Sequence, residues 1–191
     1  MMLGFHPKLN IDYDWAPLTS SVERVARDQV HTGRFVDRIL YDEGASQVAE
    51  IDGGGWISKS RESYDFFVMG GIQDTKNLDI KFQKAFPEFT FTPATICWTS
   101  RDIPRHRDSP KNGQCSLVYP LYDHRSIGMV IDPENKSDFF YSTRAYAPVI
   151  INITQYHQVY VKSPRIWFSI HIHEPIELVK EVFDKLGPIT V

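Results

Sequence analysis

Short apolar runs separated by turns make up most of the second half of the chain. Seven such runs, each rich in β-branched and aromatic residues, cover residues 89–98, 116–122, 127–131, 139–145, 149–153, 159–161 and 166–172. Turn-forming residues interrupt them at 109–113, 132–135 and 163–164. No helical periodicity lies between the runs, although parallel strands would need a crossover helix there. The pattern therefore predicts an antiparallel barrel or sandwich.

The first part of the chain mixes helical and extended patterns. Residues 20–31 are predicted to form a short helix, because Ser20 and Glu23 have the spacing of a capping box and an apolar stripe follows. Residues 79–86 predict one or two further helical turns. Residues 64–69 form an apolar run that predicts a short strand.

A well-formed amphipathic helix follows the β-rich runs. Pro175 begins it and Gly187 ends it, and the apolar face between them is expected to pack on the outside of the β-rich unit. No linker, repeat or low-complexity segment divides the 191 residues. The sequence therefore predicts a single domain, mainly β with flanking helices. It would comprise an N-terminal α/β support region (1–88), a β-barrel core (89–174) and a C-terminal helix (175–191).

The composition is that of an ordinary globular protein without a strong charge bias. Apolar residues make up 42% of the chain, and 21 basic against 24 acidic residues give a net charge of −3. This balance argues against disorder, and it provides no general basic footprint for sequence-independent nucleic-acid binding. Nucleic acid is therefore not an expected partner.

The cysteines and the apolar runs bear on the compartment. Cys97 and Cys115 do not form a C-x-x-C pair, so we expect two reduced, buried thiols. No apolar run approaches the ~18–20 residues that span a bilayer, and the N-terminal residues lack the features of a signal peptide. We therefore expect a soluble, cytoplasmic protein.

One histidine is followed two positions later by a carboxylate, in the segment His106-Arg107-Asp108. On an extended chain residues i and i+2 point the same way, and imidazole together with carboxylate suits a divalent metal such as Fe(II). The pair alone carries little weight, since this many histidines and acidic residues give about one such pair by chance. Its position adds weight, because it lies in a polar segment, 100–113, between two predicted strands.

A later histidine and arginine extend this pattern. His157 follows the run 149–153, and Arg165 begins the last predicted strand eight residues further on. One face of that strand is wholly apolar and suits packing against helices. The opposite face, inside the barrel, carries Arg165, Trp167, Ser169, His171 and His173. A guanidinium buried there needs an anion to offset the cost of its desolvation.

This order of residues resembles the Fe(II)/2-oxoglutarate-dependent oxygenase superfamily, whose double-stranded β-helix (jelly-roll) barrel carries a His-x-Asp pair, a distal histidine and then a basic residue. The resemblance covers residues 89–174 and implies that His106, Asp108 and His157 are catalytic and bind Fe(II). It also implies that Arg165 binds 2-oxoglutarate, with O₂ as the second cosubstrate. The implied activity is hydroxylation of a C–H bond with decarboxylation of 2-oxoglutarate to succinate. The short spacings are most similar to those of prolyl hydroxylases and aspartyl/asparaginyl β-hydroxylases.

Two further residues are candidates for the 2-oxoglutarate site. Ser169 lies on the same strand face as Arg165, but about 13 Å along it, which makes it a poor direct partner. Tyr119 is a comparable candidate, because the strand register decides whether its side chain faces inward. His171 and His173 have the spacing of a metal pair, yet their place at the end of the strand favours structural or solvent-facing roles.

Other functions share parts of this pattern. A cupin-like metal-dependent isomerase would use the barrel and a metal without 2-oxoglutarate, and a non-catalytic β-sandwich with a binding or structural role would bind no metal. A zinc hydrolase would explain Arg165 poorly and lacks an evident general base. Arg101, Arg105 and Arg107 fit either a solvated loop or recognition of an acidic substrate. The substrate is not defined by the sequence, and a protein side chain or a small molecule is favoured.

Overall fold

The computed structural model describes residues 1–32, 39–43, 46–51, 55–60, 66–122 and 125–191. Within these ranges the helices are α1 (Ala16–Thr32), α2 (Gln73–Ala85) and α3 (Ile176–Leu186). The strands of the N-terminal region are β1 (Gly4–Phe5), β2 (Leu9–Asn10), β3 (Ile39–Glu43), β4 (Ser46–Ile51), β5 (Gly55–Ser60) and β6 (Phe66–Gly70). The later strands are β7 (Thr95–Thr99), β8 (Ile103–His106), β9 (Cys115–Pro120), β10 (Ile127–Asp132), β11 (Ser137–Ser142), β12 (Val149–Asn152), β13 (Tyr156–Tyr160), β14 (Arg165–Ile172) and β15 (Ile189–Thr190).

Eight successive strands, β7 to β14, are divided between two sheets. Strands β7, β9, β12 and β14 pair in the order β12-β9-β14-β7, and strands β8, β10, β11 and β13 pair in the order β11-β10-β13-β8. Every pairing within these two groups is antiparallel. This arrangement is a jelly-roll barrel of the double-stranded β-helix type. It confirms the predicted fold class, mainly β with flanking helices.

Strands of the N-terminal region extend the larger of the two sheets. β6 pairs with β7, and β5, β4 and β3 continue the sheet outward, while β1 pairs with β12 at the opposite edge. The result is a sheet of nine strands among the described residues. β2 instead pairs in parallel with β15 in a separate two-stranded ribbon. Residues 1–88 thus contribute both helices and strands that flank the barrel.

The three helices cover the outer face of the large sheet. The apolar face of β14 packs there, with Phe168 5.5 Å from the ring of Phe82 on α2 and 5.9 Å from the ring of Trp15 just before α1. Phe183 of α3 joins the same core through Phe86, at 4.9 Å between ring centroids. The predicted packing of this strand face and of the C-terminal helix is therefore confirmed.

The helix boundaries differ from the predicted ones at the N-terminal ends. α1 begins at Ala16 rather than at residue 20, because the Asp14 carboxylate accepts a hydrogen bond from the Ala16 backbone N–H at 3.2 Å. Ser20 is therefore inside the helix and does not cap it. α2 begins at Gln73, six residues before the predicted start. α3 matches its prediction, and Gly187 ends it with a φ of +73° that favours glycine.

Several strands were not predicted or were placed differently. β8 falls within the segment interpreted as a polar loop, and its Pro104 is tolerated because β8 is the edge strand of its sheet. β13 starts at Tyr156, so that His157 belongs to this strand and not to the end of the preceding one. β6 matches the strand predicted at 64–69 from Phe66 onward, while residues 64–65 lie outside the described ranges.

No helix in the described part of the chain combines the length and apolar character needed to cross a membrane.

The helix-facing core yields a stability prediction. Phe82 is buried and contacts the rings of Phe86, Phe91 and Phe168, so Phe82→Ala is expected to lower the free energy of unfolding by about 3–5 kcal/mol. Ile80→Ala on the same helix is the matched control, because Ile80 is 67% exposed, and it should change stability by less than about 0.5 kcal/mol. Urea unfolding of the two variants measures both values. Equal losses would contradict this packing of α2.

Candidate metal centre

Three side chains predicted to bind a metal converge at one end of the barrel. The ligand atoms of His106, Asp108 and His157 all lie within 4.8 Å of one another. His106 Nε2 is 3.8 Å from one carboxylate oxygen of Asp108, and His157 Nε2 is 3.9 Å from the other. The two imidazole rings approach to 4.2 Å between centroids. The structure thus brings together residues that are up to 51 positions apart in the chain.

Backbone carbonyls orient both histidines. His106 Nδ1 donates to the Pro104 carbonyl oxygen at 2.8 Å, and His157 Nδ1 donates to the Gln155 carbonyl oxygen at 3.0 Å. Because a carbonyl can only accept, each Nδ1 carries the proton, and each Nε2 of the neutral ring keeps a lone pair for a metal. Burial lowers the pKa of His157, and the neighbouring His106 lowers it further. Both effects favour the neutral imidazole, which is the form that binds metals.

Strand pairing holds these residues in place. His106 on β8 is directly opposite His157 on β13, and the register shifts between His157 and Val159, which marks a β-bulge or irregularity. Asp108 lies two residues beyond the end of β8, and its backbone N–H donates to the Ile153 carbonyl oxygen at 2.9 Å. The three ligands therefore come from two paired strands and one hydrogen-bonded segment.

The donor set fits a first-row divalent metal. Two atoms that each lie about 2.1 Å from one ion are at most about 4.2 Å apart, so separations of 3.8 and 3.9 Å admit a shared ion. Two imidazoles and one carboxylate are the ligands of the facial triad of non-haem iron oxygenases. The thiol of Cys97 is a poor additional ligand, because burial raises its pKa to about 12.

The metal cluster lies in the wall of a cavity of about 440 Å³ between the two sheets. One end of the cavity is enclosed, with Cys97, Val118, Tyr141, Arg165 and Trp167 buried around it. Pro93 and Asn112 are exposed and mark the open end, where His106 and Asp108 are also partly exposed, whereas His157 is buried. A ligand would thus enter past the metal cluster and reach toward the enclosed end.

Arg165 is a buried cation without a complete set of partners. It is 1% exposed, and its Nε and Nη1 atoms make no hydrogen bond among the described residues. The Trp167 ring lies 4.2 Å from the guanidinium carbon, a cation–π contact, but it offers no anionic acceptor. Burial lowers the pKa of Arg165, although a guanidinium stays protonated in proteins. An unsatisfied cation inside a cavity indicates a site for an anion.

Tyr141 is a site residue that the sequence analysis did not identify. Its side chain lines the cavity and is buried near Arg165, and burial raises the pKa of its phenol, so that the hydroxyl remains a donor. Its neighbour across the strands is Gly128, where an added Cβ would lie only 1.9 Å from Tyr141 Cζ. Glycine at 128 is therefore required for the Tyr141 ring to lie across β10. Strand alternation was the available sequence signal, because neighbouring residues of a strand point to opposite faces. Phe140 is 61% exposed, and Tyr141 accordingly points inward.

The remaining candidates take different positions. Tyr119 faces the helices, and its ring is stacked on that of Trp15 at 5.8 Å between centroids. It does not line the cavity that contains Arg165, so the structure does not place it in the predicted 2-oxoglutarate site. Ser169 does line the cavity, but its hydroxyl is paired with that of Ser116 at 3.0 Å. His171 also lines the cavity rather than facing solvent alone, and its Nδ1 is 3.2 Å from the Asn112 carbonyl oxygen.

The arginines beside the metal ligands do not enter the cavity. The guanidinium carbons of Arg105 and Arg107 lie 4.5 and 5.6 Å from the centroid of the Tyr156 ring. Both arginines and Arg101 are exposed, and none of them lines the cavity. The cluster forms part of the surface next to the metal centre.

The barrel belongs to the double-stranded β-helix class, and solved structures of this class align with the chain. AviO1 from Streptomyces viridochromogenes aligns over 84% of this chain and 84% of its own, with 14% identity and a TM-score of 0.51. A prolyl-4-hydroxylase from Pseudomonas putida aligns over 90% of this chain and 91% of its own, with 11% identity and a TM-score of 0.46. An oxidoreductase of the 2OG-Fe(II) oxygenase family from Burkholderia pseudomallei aligns over 79% and 78%, with 13% identity and a TM-score of 0.43.

No protein-family model matches the sequence, and no curated protein does. At such low identities a structural likeness shows the fold alone. The comparisons therefore support the double-stranded β-helix fold, and the activity has to be argued from the site.

The cluster predicts tight binding of one divalent ion. Asp108→Ala and His157→Ala each remove a ligand and are expected to raise the dissociation constant for Fe(II) by more than about 100-fold. His173→Ala is the control, because His173 directly follows β14 and lies outside the cluster. This variant should bind Fe(II) as the wild type does. Anaerobic calorimetric titration measures these constants, and wild-type affinity in either ligand variant would disprove the assignment.

The donors of Arg165 that lack partners among the described residues predict an effect on stability. Arg165→Met replaces a buried charge with an apolar side chain, so the ligand-free protein should be as stable as the wild type or more stable, by up to about 4 kcal/mol. Arg24→Met, on the exposed face of α1, is the control and should be neutral. Thermal and urea unfolding measure the change. A loss of about 3 kcal/mol or more would indicate a structural ion pair instead.

Proposed function

We propose that this protein is an Fe(II)- and 2-oxoglutarate-dependent dioxygenase that hydroxylates a C–H bond of its substrate. In that reaction one oxygen atom of O₂ enters the substrate as a hydroxyl, and the other enters succinate as 2-oxoglutarate loses CO₂. The observation that supports this proposal is a single cavity that contains both a two-histidine, one-carboxylate cluster and a buried arginine with two donor atoms unpartnered among the described residues. A zinc hydrolase would use the first of these features and leave the second without a role.

His106, Asp108 and His157 would hold the iron. Three protein ligands leave further coordination positions open, which a keto acid and O₂ require. The iron and the keto acid, when bound, supply the oxidising chemistry, and the chain supplies orientation and electrostatics. The carbonyl-bound Nδ1 atoms keep both imidazoles in the tautomer that this role needs.

Arg165 and Tyr141 would bind the far carboxylate of 2-oxoglutarate. Arg165 provides a planar fork of donors with two atoms unpartnered, and Tyr141 adds a hydroxyl donor on the same side of the cavity. The apolar surroundings from Val118 and Trp167 strengthen such an ion pair, because they exclude water. This pairing would satisfy the Nε and Nη1 donors of Arg165, which have no acceptor among the described residues.

The substrate would bind at the open end of the cavity, between the metal ligands and solvent. Thr92, Pro93, Asn112 and His171 line this part. His171 Nδ1 is directed to the Asn112 carbonyl, so the Nε2 atom of the neutral ring is an acceptor for a hydroxyl or amide N–H of the substrate. A protein side chain or a small polar molecule fits this lining.

An anaerobic titration tests the proposal directly. Addition of 2-oxoglutarate to the Fe(II)-loaded protein should produce a weak visible charge-transfer band, and exposure to air should release succinate slowly even without substrate. Bound iron without either signal would overturn the proposal and favour a cupin-like metal enzyme. No iron binding would favour a non-catalytic β-sandwich.

The proposed carboxylate anchor, formed by Arg165 and Tyr141, predicts a specific change in the affinity for 2-oxoglutarate. Tyr141→Phe removes one donor to a carboxylate and should weaken 2-oxoglutarate binding roughly tenfold, while Fe(II) affinity stays unchanged. Tyr160→Phe is the matched control, since Tyr160 is exposed on β13. Titration of the visible band gives both constants. An unchanged affinity in Tyr141→Phe would exclude this tyrosine from the anchor.

A further inference from the structure

A second cavity lies on the opposite face of the large sheet. Its volume is about 600 Å³, and its lining comes from the segment leading into α1, from the start of that helix and from Tyr119, Tyr122 and Tyr146. Tyr119 forms part of this lining, whereas Val118, the preceding residue of β9, lines the cavity of the metal centre. The two cavities share no lining residue. The second cavity is therefore not an extension of the first.

Aromatic rings form a continuous wall of this cavity. The ring centroids of Tyr13 and Trp15 are 5.0 Å apart, those of Trp15 and Tyr119 5.8 Å, and those of Tyr119 and Tyr146 6.1 Å. Their planes differ by 55°, 30° and 51°, so the wall is curved rather than flat. Tyr122 contributes a fifth aromatic side chain. Trp15 and Tyr119 are only 6% and 1% exposed and form the buried back of this wall, so the cavity presents the rings of Tyr13, Tyr122 and Tyr146 to whatever occupies it.

Two of these rings hold positions that are unfavourable on their own. Tyr146 has a φ of +59°, in the left-handed region that bulky residues rarely adopt, and its N–H donates to the Pro120 carbonyl oxygen at 2.8 Å. Its ring nevertheless remains 53% exposed at the edge of the cavity. Trp15 is buried with no hydrogen-bond partner for Nε1 among the described residues. Trp15 packs in the helix-facing core, and the strained backbone of Tyr146 places its ring at the edge of the cavity.

The charge of the lining is negative. Asp12 and Asp14 belong to it, and no lysine or arginine does among the described residues. Asp14 accepts the Ala16 N–H at the start of α1, while the carboxylate of Asp12 has no cationic partner in the described part of the chain. Lys81 is the nearby cation, and its ammonium is directed to the Asp12 backbone carbonyl at 2.9 Å. Aromatic faces with adjacent carboxylates attract cations.

We propose that this cavity is an aromatic cage that binds a quaternary ammonium group. Such a group is large and weakly hydrated and has no N–H to satisfy, so π faces are its best partners. The volume exceeds that of tetramethylammonium and leaves room for the rest of a choline-like molecule or a trimethyllysine side chain. The cage is independent of the metal centre and of the activity proposed for it.

Calorimetry and ligand-observed NMR on the metal-free protein test the cage. Tetramethylammonium, choline and N-trimethyllysine are the probes, and 3,3-dimethylbutan-1-ol is the uncharged isostere of choline. Choline should bind at least about fivefold more tightly than the isostere. Equal binding of the two would show simple apolar filling and overturn the proposal, as would the absence of binding by all three cations. The tighter of choline and trimethyllysine identifies the source of the group.

Variants locate the binding. Tyr146→Ala removes one exposed ring and should weaken choline binding roughly three- to fivefold, and Asp12→Asn should weaken it and reduce its salt dependence. Tyr160→Ala, an equally exposed tyrosine on β13, is the control and should bind choline as the wild type does. Fe(II) affinity, unchanged in all three variants, reports that they are folded. Wild-type choline affinity in Tyr146→Ala would overturn the cage.

Discussion

The two-residue alternation of β14 is the constraint on which both halves of this molecule depend. β14 pairs with β7 over residues 165–169 and with β9 over residues 167–172, so its register cannot slip without moving three strands. Ile166, Phe168 and Ile170 face the helices, and Arg165, Trp167 and Ser169 face the cavity. A shift by one residue would exchange the two sets and put a guanidinium into the apolar core. The strand thus fixes core and site together.

The position of Arg165 shows where stability gives way to function. The same volume filled by an apolar side chain would pack against Trp167 and Val118 without leaving donors unpaired. The barrel instead retains a cation at its enclosed end, and Gly128 leaves space for the Tyr141 ring across the neighbouring strand. Both features suit the proposed binding of an anion at this end of the cavity. That proposal rests on the residues of the chain and not on the likeness of folds.

Much of the site could be predicted from the sequence because its members follow a fixed order along alternating strands. His106, Asp108 and His157 meet as expected, and the Arg165 face of its strand points inward as the alternation indicated. Tyr119 did not follow, since a run of buried residues on both faces gives no periodic signal to decide its direction. The strand β8 was not predicted either. It has only four residues, of which one is a proline and two are basic, and such a sequence is compatible with a strand only at the edge of a sheet.

The contact between Tyr141 and Gly128 could not be predicted from the sequence, because it depends on the register between β10 and β11 and not on a local pattern. The same dependence creates the two cavities. On β9, Val118 and Tyr119 point to opposite sides of the sheet, and on β14 Trp167 and Phe168 do the same. One layer of backbone therefore separates a buried guanidinium, with two donor atoms unpartnered among the described residues, from a cavity lined by aromatic rings and two carboxylates. A sheet can separate two such environments over a short distance, because successive side chains of each strand point to opposite faces.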